Sequence, residues 1–221
     1  MVVSCTPTGD DGVTAADECV VTSTSAPFAA GSGQPGSSRQ IHVSAGAPKA
    51  AGDGSIEHPF GTLAESLRGR VPGDYVIVHA GLYDECPTIS DLHGTPDAPI
   101  WITGSGEVTV RCRAGDGLTV ESVSNVAVEH LRIETASRGA RSIRVAGQSD
   151  QVRIGSNDVD SIAIADTAHA VITGNRVAND DGIVVTSSRD VVVSFNRFTH
   201  GPRVTVSASS EARVECNRVG P

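Results

Sequence analysis

Four acidic residues, Asp158, Asp160, Asp180 and Asp181, fall in one stretch of the chain, accompanied by Asn157 and Asn179. Carboxylates held close together raise one another's pKa, which suits them to act as the acid and base of glycoside hydrolysis. Alternatively they share a hard cation, and an all-oxygen set of this kind suits calcium. His200 follows as a further proton-transfer group. A second set is basic: Arg132, Arg176, Arg197 and Arg218, with Arg141 nearby. Guanidinium groups at regular intervals match the carboxylates of an acidic polymer bidentately. A cation beside a uronate carboxylate, with a base to remove the α-proton, is what β-elimination requires. His79, His130 and His200 are the candidate bases. A plainer reading stands beside each of these. Acidic residues favour turns, arginine stems cover apolar surface and pair with acids, and a histidine at a strand end is commonly just hydrogen-bonded.

What could bring these residues together is a repeat. An apolar position opens each unit at Leu118, Ile143, Ile162, Ile183 and Val204, with successive starts 25, 19, 21 and 21 residues apart. A second anchor falls at Leu131, Asn157, Asn175, Asn196 and Asn217, 13 residues after the start in four units and 14 in the unit from Ile143. Each unit holds two or three short strands and is too small to bury its own apolar face, so neighbours must stack, as in a solenoid. Stacking at ~4.8 Å per coil predicts that residues of one register form rows. Asn157, Asn175, Asn196 and Asn217 are then expected to bond as an amide ladder at a turn, with Leu131 interrupting it in an irregular early coil. The residue after each Asn gives the row Arg132, Asp158, Arg176, Arg197 and Arg218. Two residues before each strand start lies a second row, Asp116, Arg141, Asp160, Asp181 and Pro202, in which Arg141 stands between acids. Asp160 and Asp181 are expected to face each other from adjacent coils, with Asp180 beside them and Asp158 near.

Ahead of the repeat, residues 41–115 read as a cap and irregular first coils. IHVS opens a strand. FGTLAESLRGR (60–70) fits a short helix, with Leu63 and Leu67 on one face and Thr62 as N-cap. YVIVHAG, PIWITG and EVTVRC read as further strands. Residues 1–40, rich in Ser, Thr, Gly, Pro and Asp, read as a flexible tail.

Two segments carry a resemblance. HPFGTLAESLRGRVPGDYVIVHAGLYDE, continuing to GTPDAPIWITG, is similar to the N-terminal capping segment of β-helix polysaccharide lyases. DGIVVTSSRDVVVSFNRF (181–198) is similar to a generic β-helix coil. Residues 41–221 thus resemble the right-handed parallel β-helix superfamily of pectin-lyase-like proteins. The resemblance implies an all-β solenoid with a short capping helix, and it implies little about function, because this fold hosts lyases, hydrolases, epimerases and adhesins. Polygalacturonases of this fold carry N-T-D, D-D, G-H-G and R-I-K on successive coils. VDSIAI, DDGIVV and THGPRV look similar at the first three steps, which would put Asp160, Asp180, Asp181 and His200 in catalytic positions. The departures are Asp158-Val159 in place of N-T, His200 out of register, and no R-I-K.

Composition narrows the classes. The 221 residues include 24 glycines and seven aromatics and carry a net charge of −9. Val and Thr recur, which favours strands and turns. The negative charge argues against a nucleic-acid binder, and no apolar run reaches the ~18 residues of a membrane span. No signal peptide is read after Met1, although VVSC (2–5) resembles the end of a lipoprotein cleavage site. Cys5, Cys19, Cys86, Cys112 and Cys216 show no zinc spacing. Cys86 with Cys112, or Cys5 with Cys19, could close a disulfide in an oxidising compartment, and buried free thiols are the alternative. Three functional readings follow: a secreted or cell-surface protein that binds or cleaves an acidic polysaccharide, with a lyase foremost; a non-catalytic adhesion or assembly module; and a polygalacturonase-like hydrolase. Trp101, Tyr75 and Tyr83 are a candidate sugar-stacking platform, and the uncapped last coil, ending NRVGP, is a candidate for self-association.

Overall fold

The structure, a computed structural model, describes residues 38–48, 51–178, 181–201 and 203–220. The expected tail up to residue 37, and with it Cys5 and Cys19, lies outside the described residues, as do Asn179, Asp180 and Pro202. The chain begins with β1 (Gln40–Val43), α1 (Leu63–Ser66), β2 (Tyr75–Tyr83), β3 (Thr88–Ser90) and β4 (Ile100–Cys112). Five coils of three strands each follow. They are β5 (Leu118–Glu121), β6 (Ser124–Glu129) and β7 (Arg132–Thr135), then β8 (Ile143–Ala146), β9 (Asp150–Gly155) and β10 (Asp158–Val159). Next come β11 (Ile162–Ala165), β12 (Val171–Thr173) and β13 (Arg176–Val177), and β14 (Ile183–Thr186), β15 (Val192–Ser194) and β16 (Arg197–Phe198). The last are β17 (Val204–Ser207), β18 (Arg213–Glu215) and β19 (Arg218–Val219).

These strands stack into a parallel β-helix with three faces. Face A is the six-stranded sheet β3-β5-β8-β11-β14-β17. Face B runs through β6, β9, β12, β15 and β18, and face C through β7, β10, β13, β16 and β19. Faces B and C form one 13-stranded sheet because β4 turns the corner between them without breaking. PIWITG and EVTVRC, expected as two strands, are therefore one bent strand. Gly104 sits at the bend, where an added Cβ would stand 2.0 Å from the His130 carbonyl oxygen of the next coil. The five apolar starts do open β5, β8, β11, β14 and β17 and pair in register: Leu118, Ile143, Ile162, Ile183 and Val204.

The interior is a set of apolar rows. Ile143, Ile162, Ile183, Val145, Ile164 and Val185 line face A, and Val128, Ile154, Ile172 and Val193 line face B, all at most 1% exposed. Burying each such side chain stabilises the fold by roughly 1.5–3 kcal/mol. Turns between strands must still satisfy buried polar backbone groups. At the B–C corner the side-chain amide of Asn157 donates to Asn175 Oδ1 (3.1 Å), Asn175 to Asn196 Oδ1 (2.9 Å) and Asn196 to Asn217 Oδ1 (3.0 Å). Leu131 stands at the head of this row, and its backbone N–H donates to Asn157 Oδ1 at 3.0 Å. The residue before each Asn adopts a left-handed conformation: Ser156, Gly174, Phe195 and Cys216. A second row at the A–B corner escaped the sequence reading. Thr167 donates through its hydroxyl to Ala165 O, while the hydroxyls of Ser188 and Ser209 accept from the backbone N–H of Thr167 and Ser188 on the preceding coils.

The short helix forms as expected at the N-terminal end. Thr62 caps it by accepting from Glu65 N (3.1 Å), and Leu63 and Leu67 are buried. Glu85, from the following coil, adds a carboxylate that accepts from Leu63 N (2.8 Å) and Ala64 N (3.2 Å). An anion at a helix N-terminus is favourable because the N–H groups there lack intrahelical partners. Cys86 and Cys112 are joined in a disulfide that ties β4 to the loop before β3.

Asn175 is fully buried and also donates to Ile154 O (2.9 Å). Asn175→Ala strands the backbone N–H of Asn157 and that carbonyl, so urea unfolding should show a loss of about 2–4 kcal/mol. A loss below about 1 kcal/mol would mean that the amide row does not stabilise the stack.

Candidate functional site

The basic row expected from the sequence lies on face C. Arg132 pairs in register with Asp158, Asp158 with Arg176, Arg176 with Arg197, and Arg197 with Arg218. Each of these residues follows the corner amide row, so its side chain alternates outward while Ile133, Val159, Val177 and Phe198 turn in. Acids neutralise the upper half of the row. Arg176 pairs with Asp158 (3.0 Å) and Arg132 with Glu134 (3.0 Å), which Arg111 also reaches at 3.1 Å. Arg197 donates to the Gly220 carbonyl (3.3 Å). Arg197 and Arg218 make no ion pair among the described residues. At about 4.8 Å per coil, the lower end of face C therefore presents adjacent like charges to solvent.

Above them lies a hollow of about 440 Å³ whose lining includes Thr109, His130, Arg132 and Asp158. His130 projects from the left-handed residue before Leu131, and its Nδ1 is 3.3 Å from Thr103 Oγ1. The hollow thus holds an imidazole, a guanidinium and a carboxylate together. Of the three histidines considered as bases, His130 alone lines it. His79 is engaged elsewhere, and His200 donates through Nδ1 to Ala178 O at 2.8 Å.

The acidic set is arranged differently from expectation. Asp158 points out of face C into its ion pair with Arg176. Arg141 reaches past the intervening coil to Asp181, 3.3 Å away, while its backbone N–H donates to Asp116 (2.8 Å). Asp160 is held by its backbone N–H donating to Ser142 Oγ (3.0 Å). Asp180 lies outside the described residues. Among the described residues no three His, Cys, Asp or Glu side chains are placed to hold a metal. A guanidinium supplies Asp181 with positive charge, as the position of Arg141 between acids in the row had suggested. Two further arginines of the early coils also have acid partners: Arg113 with Asp84 (3.0 Å) and Arg153 with Glu129 (2.5 Å).

The aromatic platform is smaller than expected. Tyr83 is 3% exposed, and its hydroxyl donates to His79 O (2.8 Å); burial pushes its pKa up to about 12. Tyr75 and Trp101 do stand side by side in register, half-buried, on face B. They are therefore on a different face from the basic row. One titratable cluster was missed altogether. His169 on face B has Nδ1 2.6 Å from Asp150 and Nε2 3.9 Å from Asp190, which in turn meets Arg213 at 3.3 Å. Its members come from four successive coils and share no local motif.

A family described as periplasmic copper-binding protein (NosD) matches residues 101–220. The chain belongs to the NosD family. No curated protein matches it. Among solved structures, this NosD-family chain is similar to an alginate lyase from Paenibacillus sp. str. FPU-7, with a TM-score of 0.61 and 15% identity over 82% of this chain and 66% of that one. Pectate lyase Pel9A gives a TM-score of 0.47 at 10% identity, over 74% of this chain and 56% of that one. Pectin methylesterase PemA from Erwinia chrysanthemi gives 0.42 at 11% identity, over 80% and 81%. The chain thus spans less than two thirds of either lyase. At such identities the likeness is one of fold.

Copper favours thiolate, thioether and imidazole donors. Cys86 and Cys112 are consumed in their disulfide, and the single methionine is Met1, outside the described residues. Two imidazoles do meet: His42 Nδ1 lies 2.9 Å from His79 Nε2, with the rings stacked. Among the described residues no third donor joins them, and their facing nitrogens lie within hydrogen-bond distance of each other. The described residues do not fit a resident copper ion.

Burial, and then the neighbouring His79, hold the His42 imidazole below the usual histidine range, against a weaker opposite pull from Glu57. A base whose folded pKa is depressed binds fewer protons folded than unfolded. Its contribution to stability is thus present above the unfolded value of about 6.5 and is lost as pH falls below it. His79→Gln removes the second charge, so the His42 midpoint in an NMR titration should move upward. An unchanged midpoint would show that the pair is not coupled.

Proposed function

We propose that this chain binds an acidic polysaccharide along face C. The observation that carries this reading is the in-register arginine row, whose lower members, Arg197 and Arg218, face solvent with no carboxylate partner among the described residues. Guanidinium groups one coil apart repeat at about the length of a sugar residue, so successive uronates can each meet one. A polyanion would relieve the mutual repulsion of the row, and the attraction would weaken as salt screens it. The protein's overall negative charge does not oppose this, because field is local to the face presented. The lyase-like solved structures support a carbohydrate ligand by analogy of fold. The Cys86–Cys112 disulfide and the family's periplasmic description support a secreted or periplasmic location.

A second reading, β-elimination, is favoured by one observation: His130 and Arg132 share the hollow on the same face. Arg132 would neutralise the uronate carboxylate, and His130 would take the α-proton. A hydrolase has less support, because Asp181 is engaged by Arg141 and His200 by Ala178. In the non-catalytic alternative, the rod holds the polymer without cleaving it.

In affinity electrophoresis, polygalacturonate and alginate should retard the protein at low salt and neutral glucan should not. Arg197→Ala with Arg218→Ala should weaken binding about tenfold. Equal retardation by neutral glucan, or a double variant that binds like the original, would refute the reading. Incubating the same polymers and following ultraviolet absorbance of unsaturated product tests turnover. Under the lyase reading His130→Ala abolishes product while binding persists; absence of product from the original protein removes that reading and leaves the binding module.

A further inference from the structure

One residue at the B–C corner departs from the rule that governs its neighbours. Phe195 holds the left-handed conformation, with a φ of 56°. That conformation crowds Cβ against the following carbonyl oxygen, so bulky side chains rarely adopt it. The other non-glycine residues that do are polar or small, and among the described residues Phe195 alone is large and apolar. Its ring is also left out of the core: Phe195 is 41% exposed, whereas Phe198 on the same coil is 1% exposed. A strained backbone that holds an apolar ring in water serves neither packing nor solubility.

Its surroundings say what the ring could meet. In register one coil above, between the pairs Thr173–Ser194 and Arg176–Arg197, stands Gly174, exposed and without a side chain. That leaves the corner bare for one coil above Phe195, about 4.8 Å. On the other side the buried Asn196 turns inward, and Arg197 comes next, exposed on face C. Phe195 and Arg197 are two residues apart, at most ~7 Å along the backbone, and Arg218 follows Arg197 in register. We infer that Phe195 is a sugar-stacking subsite that gives the face C arginines their preference for uronates over other anions. A pyranose ring lies with its C–H face on Phe195 while its carboxylate meets Arg197. This subsite rests on the acidic-polysaccharide reading and adds to it the group that recognises the sugar itself. Pyranose C–H groups carry partial positive charge and are drawn to the negative face of an aromatic ring, and the contact removes apolar area from water. A guanidinium reads only the carboxylate, which any polyacid also offers. Ring and guanidinium side by side match two features that a uronate carries on one residue. A neutral sugar meets only the ring, and a polyacid without sugar rings meets only the arginines.

Polygalacturonate and polyglutamate, both at low salt, are the probes. Phe195→Gly removes the ring and suits the left-handed backbone, so its urea midpoint should not fall below that of the original protein. In affinity electrophoresis it should bind polygalacturonate roughly fivefold more weakly, with retardation by polyglutamate unchanged. Phe195→Tyr keeps the ring and should bind both polymers like the original. If Phe195→Gly binds polygalacturonate like the original while Arg197→Ala with Arg218→Ala is weakened, this inference alone is overturned. Equal weakening towards both polymers also overturns it, since the ring would then not be reading the sugar. Failure of the original protein to bind polygalacturonate overturns it together with the binding reading on which it rests.

Discussion

In-register stacking is the constraint from which the rest of this structure follows. No coil of about twenty residues can bury its own apolar face, so each depends on the one above and below for a core. Once register is fixed, every position becomes a row along the rod, and the chemistry of a row is the chemistry of one residue multiplied. Apolar rows give a dry interior. Polar residues can enter that interior only where the row bonds to itself, as Asn157, Asn175, Asn196 and Asn217 do at one corner and the Ser and Thr hydroxyls do at another. An unpaired amide in the same place would cost more than the neighbouring contacts return.

The same rule that makes rows also makes like charges neighbours, and the protein deals with this in two ways. Where a row places acid beside acid, an arginine from two coils away intervenes, as Arg141 does for Asp181. Where it places arginine beside arginine, Asp158 interrupts the upper part of the row, and the lower part remains open to solvent. That asymmetry along face C distinguishes a face able to grip a polyanion from one that is merely salted with paired charges. The aromatic pair Tyr75–Trp101 and the His169 cluster both lie on face B and so do not contribute to it.

Much of the architecture was legible in the chain. The unit starts, the inward apolar positions, the corner asparagines and the Thr62-capped helix all repeat or punctuate the sequence at intervals that stacking preserves. The Ser and Thr row was present at the same interval, through Thr167, Ser188 and Ser209, but hydroxyl residues are common in turns and the signal was not distinctive. Tyr83 was misplaced on the surface because strand alternation alone does not say which side of β2 faces in near a bulge. The pairing of Arg141 with Asp181 was not legible for a related reason: row membership gives neighbours one coil apart, whereas a long guanidinium reaches two.

The sequence by itself determined the period, the register and therefore which residues share a row, because those properties depend only on spacing along the chain. The tertiary structure alone decided which rows share a face and which charges are already paired. Those depend on how far the chain turns at each corner and how far each side chain reaches across coils, and neither distance is written in the spacing.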